Sequence, residues 1–444
     1  MTRVASVALA VFALGWPVPA WAQATLSLEQ VVQQTLERNR SLEARRAESR
    51  EADARASQAR AGLFPRVSFI ESWQRTNQPV FAFSSLLSAR RFAQSNFAVD
   101  ALNSPDPLGL FHGAVSIEQT LFDGGRTLAS VSSASLGRDI AIQAEADAAG
   151  RLALTATETY GRLLAALAAG RAAAGAVAAA DQDLARAERR RDAGTATDAD
   201  VLAMSVHLAT VRQRQIQVEG AAAVARAELN RLMGAPIDRV FDAQEPTAAS
   251  GASISTTSIP ALIAEAEASR PDLLRAAAAE RLADAGRRLA RASWYPQVAA
   301  RAGYEVNGTR LADRAAAWVV GGELRWNLST GGAERAGRTA AAEAAVRAQA
   351  EREDARSAAH VEIVVALQRL GSARARQAIG QAAVDQARES QRIVRDRFDA
   401  GLASANDVLR ASSALLDADA ERVAAIVDAI VGDAMLGRAV GRKP

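Results

Sequence analysis

Arg397-Phe398-Asp399-Ala400-Gly401-Leu402-Ala403 runs on to Asp407-Val408-Leu409, and 207 positions earlier Asp192-Ala193-Gly194 runs on to Asp200-Val201-Leu202 at the same spacing. An Ala-Gly pair after a long proline-free stretch reads as a helix stop, because glycine takes the left-handed conformation that closes a last turn. Asp198 and Asn406, just beyond, are residue types that start a new helix by accepting from its free N–H groups. Each copy therefore predicts two helices joined by a tight turn. Its recurrence at a fixed separation predicts an internal duplication.

Working outward from the turns, Asp123-Gly124-Gly125 falls on Thr330-Gly331-Gly332, again 207 apart. Gly62-Leu63-Phe64-Pro65 falls on Ser293-Trp294-Tyr295-Pro296, and Asn39-Arg40-Ser41-Leu42 on Arg270-Pro271-Asp272-Leu273, both 231 apart, so the first half holds 24 extra residues between its proline and its double glycine. From each double glycine to each Ala-Gly stop the chain runs 67 residues without proline, Arg126 to Asp192 and Ala333 to Asp399. A helix of that length spans about 100 Å. The returning helices, Val201 to Met233 and Val408 to Leu436, are half as long, and leading helices of about 35 residues precede the prolines. One leading and one returning helix laid end to end match a long one.

Leu28, Val31, Val32, Leu36 and Leu42 recur at helical spacing. That helix must stop at Pro65, and its counterpart at Pro296. Beyond each proline the pattern turns extended: Val67 to Gln74 and Phe111 to Phe122, then Val298 to Asn307 and Trp318 to Leu328. These are two hairpins, 66–123 and 297–330, with loops of about 36 and about 10 residues. The longer loop, 75–110, carries Asn77-Gln78-Pro79 and Ser104-Pro105-Asp106-Pro107 as breakers. Ser27 with Gln30 reads as a capping box, and Gly234-Ala235-Pro236 closes the first half. The expected organisation is a leader over 1–24, a first repeat over 25–240, a linker over 241–260 and a second repeat over 261–444.

The leader follows from Arg3, the apolar run Val4 to Leu14 and the small-residue site Ala20-Trp21-Ala22, with cleavage after Ala22 or Ala24 fitting equally well. The exported chain has no cysteine, hence neither a disulfide nor a cysteine-linked lipid. With 53 Lys and Arg against 50 Asp and Glu, the charges balance and are interspersed along the helices, which argues against nucleic-acid binding. Beyond the leader no 18-residue run is free of charge; the best, Leu163 to Ala180, is broken by Gly170 and Arg171. A membrane role would then fall to the strands, which at about ten residues are long enough to span. Four strands leave open edges, which lipid does not tolerate, so the chain must oligomerise. Three copies give twelve strands with room for a lumen, whereas two give a filled minimal barrel.

The duplicated halves, the Phe64-Pro65 and Tyr295-Pro296 strand leads, Leu121-Phe122-Asp123-Gly124-Gly125, and Arg397 to Ala403 followed by Asp407-Val408-Leu409 resemble the TolC-like outer-membrane efflux proteins over essentially the whole exported chain. The resemblance implies a mixed α/β membrane protein: four strands per chain in a trimeric twelve-stranded β-barrel, continuous with a long periplasmic coiled-coil barrel. It implies a passive exit channel in the cell outer membrane, serving an efflux pump or type I secretion system, contacting outer-membrane lipid, a periplasmic adaptor and an inner-membrane pump. It assigns Pro65, Pro296, Gly124, Gly125, Gly331 and Gly332 to strand leads and turns, and Gly194, Thr195, Ala196, Gly401, Leu402 and Ala403 to adaptor contacts at the periplasmic entrance. Asp200 and Asp407 occupy matching places there, and three copies of each would favour cations at a narrow mouth. Phe398 stands where the family has a gating tyrosine, Ala403 where it has an arginine and Arg410 where it has a second aspartate, so the family's latch does not carry over intact.

Other readings stay open at this point. Asp200 and Asp407 also suit the first turn of a helix, complementing its dipole. Phe69, Trp73, Phe111, Trp318 and Trp326 suit an interfacial girdle or the core of a soluble sheet. His112, His207 and His360 have no ligand spacing, so neither a metal nor any other cofactor is expected. No nucleophile, base or phosphate-binding motif stands out, which argues against an enzyme. The rival to a channel is a soluble periplasmic coiled-coil scaffold or adaptor, for which duplicated hairpins would serve no purpose.

Overall fold

Freedom from proline and richness in alanine make the longest elements. The computed structural model describes residues 24–244, 258–328 and 330–443. The predicted leader, save Ala24, and most of the predicted linker lie outside the described residues.

In chain order, β1 (Ala24–Leu26), α1 (Leu28–Arg38) and α2 (Arg40–Ala61) lead to β2 (Arg66–Thr76). Two short helices, α3 (Pro79–Ser88) and α4 (Val99–Asn103), precede β3 (Leu108–Phe122), α5 (Arg126–Asp192), α6 (Asp198–Leu232) and β4 (Phe241–Ala243). Then come α7 (Ile259–Ser269), α8 (Pro271–Ala292), β5 (Gln297–Arg310), β6 (Asp313–Arg325), α9 (Ala333–Asp399) and α10 (Ala405–Ala439). Element lengths pair off: 22 residues for α2 and α8, 67 for α5 and α9, 35 for α6 and α10.

Several expectations are corrected. The leading helices are each broken, by extended backbone at Asn39 (ψ 125°) and Arg270 (ψ 120°). Pro271 disfavours helical backbone at the residue before it. Asn39 instead turns its amide to donate to the Leu232 carbonyl at 2.9 Å. The helix starts after the two turns are capped by Thr197 and Ser404, not by Asp198 and Asn406. The second hairpin loop is only Leu311 and Ala312, because the strands run on to Arg310 and Asp313. Glycine makes that possible: a Cβ on Gly308 would lie 2.1 Å from the Asp313 carbonyl. Trp326 and Leu328 fall beyond β6, and the start of the predicted linker holds β4.

The chain divides into two compact units. One, residues 1–39, 153–254 and 369–434, is among its described residues mostly helical and holds β1 and β4, which pair in parallel, Ala24 with Phe241. Val31, Leu229, Met233 and, on β4 itself, Phe241 are fully buried within this unit. The Tyr160 hydroxyl lies 2.8 Å from the Leu26 carbonyl and 2.7 Å from that of Gln244. Burial pushes this phenol up to about 12, so it stays a donor. Small residues bring the helices close: a Cβ on Gly161 would sit 2.6 Å from Val427 Cγ1, and one on Gly432 3.2 Å from Leu370 Cα. Glycine serves at these contacts because small residues permit short interaxial distances.

The other unit, residues 40–152, 255–368 and 435–444, holds an antiparallel sheet in the order β2-β3-β5-β6. Buried Leu42, Leu262, Leu273, Ala285, Ile363 and Leu436 pack its helices. Asp147 is nearly buried among Arg151, Arg438 at 3.7 Å and Arg275 at 4.0 Å. Burial raises its carboxyl, but the Arg151 hydrogen bond and the three positive charges outweigh that and hold it below its ordinary range.

Candidate functional site

Two places concentrate unusual chemistry, one in each unit. The first is the sheet. Strand alternation sorts its side chains onto two faces, and the register fixes which residues share them. Phe69, Val115, Tyr304 and Trp318 form one cross-strand row, and Val67, Ile117, Ala302 and Val320 another. Trp73 and Phe111 extend the same face. It is uncovered, with Trp318 77% and Phe69 69% exposed. The opposite face carries Ser68, Ser116, Gly303 and Val319 in one row and Ser72, His112, Asn307 and Ala315 in another. Ser68 and Ser116 hydroxyls meet at 2.6 Å, and His112 Nδ1 lies 2.9 Å from Asn307 Oδ1. Arg301 on that face pairs with Glu323 at 2.6 Å and Glu118 at 3.6 Å. So the sheet is apolar on one side and mainly polar on the other, and among the described residues β2 and β6 have no strand partner on their outer edges.

One ion pair interrupts the apolar face. Arg314 on β6 donates to both oxygens of Glu71 on β2, at 2.9 and 3.0 Å. It crosses two intervening strands because Gly113 leaves the room; a Cβ there would lie 2.6 Å from Glu71 Oε2. The guanidinium also lies 5.7 Å from the centre of the Phe111 ring. Both charges are thereby paired before they meet an apolar surrounding.

The predicted leads and turns flank this sheet. Pro65 stands just before β2 and Pro296 just before β5. Gly124 and Gly125 (φ 67° and 84°) turn β3 into α5, and Gly331 and Gly332 (φ 65° and 91°) precede α9. Gly124 is required by packing as well, since its Cβ would lie 2.6 Å from Tyr295 Cβ. Asp123 caps α5, accepting from the Thr127 N–H at 2.8 Å.

The second place is the pair of helix turns. Gly194 (φ 72°) ends α5, with the Thr195 N–H donating back to the Arg190 carbonyl at 2.8 Å. Gly401 (φ 77°) ends α9 in the same way, Leu402 N–H to Arg397 carbonyl at 2.8 Å. Thr195, Ala196, Leu402 and Ala403 complete the two bends, and Leu402 is 79% exposed. Asp200 and Asp407 close capping boxes: each accepts from the backbone N–H and hydroxyl of Thr197 or Ser404, at 2.7 to 3.0 Å. Hydrogen bonds from Thr197 hold the Asp200 carboxyl below its ordinary range, and those from Ser404 do the same for Asp407, with Arg410 adding a smaller pull.

Phe398 is buried, packed with Ala187, Met204, Ala405 and Val408. The residue that joins the two turns is one that sequence reasoning missed. Arg190 near the end of α5 donates to the Phe398 carbonyl, lies 4.7 Å from the centre of the Phe398 ring and reaches the Thr195 carbonyl at 3.5 Å. Behind it, nearly buried Asp183 accepts from Arg186 at 3.1 Å and from Arg395 at 3.0 Å, tying α5 to α9. Burial lowers the half-buried His207 imidazole; Asp183 opposes this and Arg395 reinforces it. The third histidine, His360, lies 3.3 Å from Glu267. Among the described residues no group of His, Cys, Asp or Glu has the arrangement of a metal site.

The profile of the outer membrane efflux protein family matches residues 31–235 and 262–441. No curated protein sequence matches the chain. Among solved structures, the Vibrio cholerae outer membrane protein VceC superposes with a TM-score of 0.78 at 20% identity, covering 94% of this chain and 96% of that one. The Campylobacter jejuni CmeC outer membrane channel gives 0.77 at 16% identity, covering 93% and 85%. The open Neisseria gonorrhoeae MtrE outer membrane channel gives 0.73 at 17%, covering 94% and 89%.

Proposed function

The chain belongs to the outer membrane efflux protein family and is an outer-membrane exit channel whose helical part lies in the periplasm, and from that premise we propose that three copies close a single twelve-stranded barrel. The observation that carries this reading is the sheet's combination of an uncovered apolar face, a polar reverse face and two unpaired edges. Hydrocarbon leaves unpaired backbone groups unsatisfied at several kcal/mol each, so β6 of one copy must pair with β2 of the next. The apolar face then meets lipid, with Phe69, Trp73, Phe111 and Trp318 in its aromatic girdle, and the polar face lines the lumen. Passage through such a lumen is passive.

The halves 25–240 and 261–444 are read as copies of one ancestral unit, supported by the paired element lengths. The turns around Gly194 and Gly401 are read as the periplasmic entrance and the contact for a periplasmic adaptor, which links the channel to an inner-membrane pump. Asp200 and Asp407 would place paired carboxylates at that entrance. The test is the mass of the detergent-extracted protein together with its conductance in planar bilayers. A three-chain particle that conducts supports the reading; a water-soluble monomer or dimer without conductance overturns it in favour of a periplasmic scaffold.

A further inference from the structure

The first hairpin carries an insertion, residues 77–107, where the second has the two-residue turn Leu311-Ala312. Both connections lie at the end of the sheet away from α2, α5, α8 and α9, which is the outward end for a channel whose helices are periplasmic. The insertion is a folded piece: Phe92 meets Phe83 edge-on at 4.7 Å and Phe97 at 5.0 Å, while Ala82, Ser85 and Ala89 are buried. It is also tied down. Arg90 donates to the Ala316 carbonyl of β6 at 3.0 Å, and Arg91 donates to the Thr309 hydroxyl of β5.

The exposures say which face it covers. Near the outward end of the apolar face Trp73 is 59% exposed, whereas on the polar face Leu110 and Asn307 are 8% and 3% exposed. Arg90 sharpens the point, being among the described residues the single non-glycine with positive φ, at 53°. It ends α3 in a left-handed turn, with the Arg91 N–H donating to the Leu86 carbonyl at 2.8 Å. Glycine would take that conformation with less strain. An arginine there sacrifices backbone comfort for a guanidinium that reaches across to the opposite edge strand, and strain held by a specific contact marks a built feature.

We propose that residues 77–107 are a lid folded over the lumenal face of the sheet, and that three copies narrow the channel's exit and set the largest solute that leaves through it. Arg90 and Arg91 are its fasteners. This rests on the barrel reading, in which the polar face lines the lumen.

The chain has no cysteine, so Ser116→Cys places a single thiol on the polar face, inward of the lid. Intact cells would be labelled from outside with a small charged maleimide, and with a maleimide on a polymer too wide for a narrowed mouth but narrower than an open barrel of this size. The wild-type lid is compared with Arg90→Ala/Arg91→Ala and with a chain whose residues 78–106 are replaced by an Asn-Gly turn, feasible because Thr76 and Leu108 are already register partners. The small reagent should label every form, which also reports correct assembly. The polymer reagent should label the wild type slowly and both variants on the order of tenfold faster, the effect of releasing the docking hydrogen bonds. Polymer labelling of the wild type as fast as of the variants overturns the lid while leaving the barrel intact. Failure of the small reagent in every form shows that the polar face is not a lumen, and overturns both.

Discussion

Replacing Arg190 with alanine asks whether one side chain holds the two helix turns together. Its guanidinium gives a hydrogen bond to the Phe398 carbonyl, a long one to Thr195 at 3.5 Å, and a ring contact at 4.7 Å. A hydrogen bond from a charged donor contributes about 1.5–3 kcal/mol, and partial exposure puts this one at the low end. A cation over an aromatic ring near the surface adds about 0.5–1 kcal/mol. The loss is then about 2 kcal/mol per chain, or about thirtyfold in the population of separated turns. If these turns close the entrance, Arg190→Ala should raise the open probability of single channels in planar bilayers by that order, and Arg190→Lys, which keeps the charge but loses the planar fork, should fall between the two. Arg191→Ala is the control, because Arg191 pairs only with its neighbour Asp192 among the contacts described. An Arg190→Ala channel whose open probability stays within about twofold of the wild type, below what any one hydrogen bond from a charged donor supplies, would refute the reasoning.

Tyr160→Phe removes a buried hydroxyl that serves two carbonyls, at an expected loss of about 1–2 kcal/mol, read as a lower unfolding midpoint in detergent; an unchanged midpoint counts against it. Gly161→Val drives side-chain atoms into Val427 and should destabilise by about 1–3 kcal/mol, whereas Gly175→Ala, with open space around it, should be neutral or stabilising. Thr197→Ala and Ser404→Ala each remove a helix cap of about 1 kcal/mol, so amide exchange in the first turns of α6 and α10 should speed up about fivefold, with no change elsewhere. The same caps make the turns acid-sensitive. Folding lowers the pKa of Asp200 and Asp407, so their contribution is complete above the ordinary carboxylate value of about 4 and is lost as pH falls through the lowered one. Exchange at both turns should therefore accelerate below about pH 4 in the wild type, and the acceleration should vanish in Asp200→Asn/Asp407→Asn.

Much of the fold is legible in the sequence because its signals are local and doubled. The long helices run from Arg126 to Asp192 and from Ala333 to Asp399, as the absence of proline between double glycine and Ala-Gly predicts. The strands follow Pro65 and Pro296 because proline ends a helix whatever surrounds it. Part of what escapes is set by contacts between distant residues. The break at Asn39 depends on the Leu232 carbonyl 193 positions away. The break at Arg270 has a local signal in Pro271, which the alignment of the halves hid by matching that proline to Arg40. The pairing of β1 with β4 joins two three-residue strands, too short for any periodicity to announce.

The site divides along the same line. Asp200 and Asp407 stand out in sequence by their matching places, and their first interactions are those of any residue three positions after a Thr or Ser cap. A carboxylate that spends its oxygens on its own helix can still project charge into a mouth, so capping and entrance charge are compatible, and the cap fixes where the charge stands. Phe398 could be noticed only by comparison with a gating tyrosine; its burial shows that a ring without a hydroxyl gains more from packing than from facing water. Arg190 could not be noticed at all. It is one of three consecutive arginines, Arg189 to Arg191, and a charge run before a helix C-terminus reads as favourable dipole compensation for any of them. Only the angular position of residue 190 on α5 aims its guanidinium at the neighbouring turn, and a rotation of about 100° per residue sends Arg189 and Arg191 elsewhere.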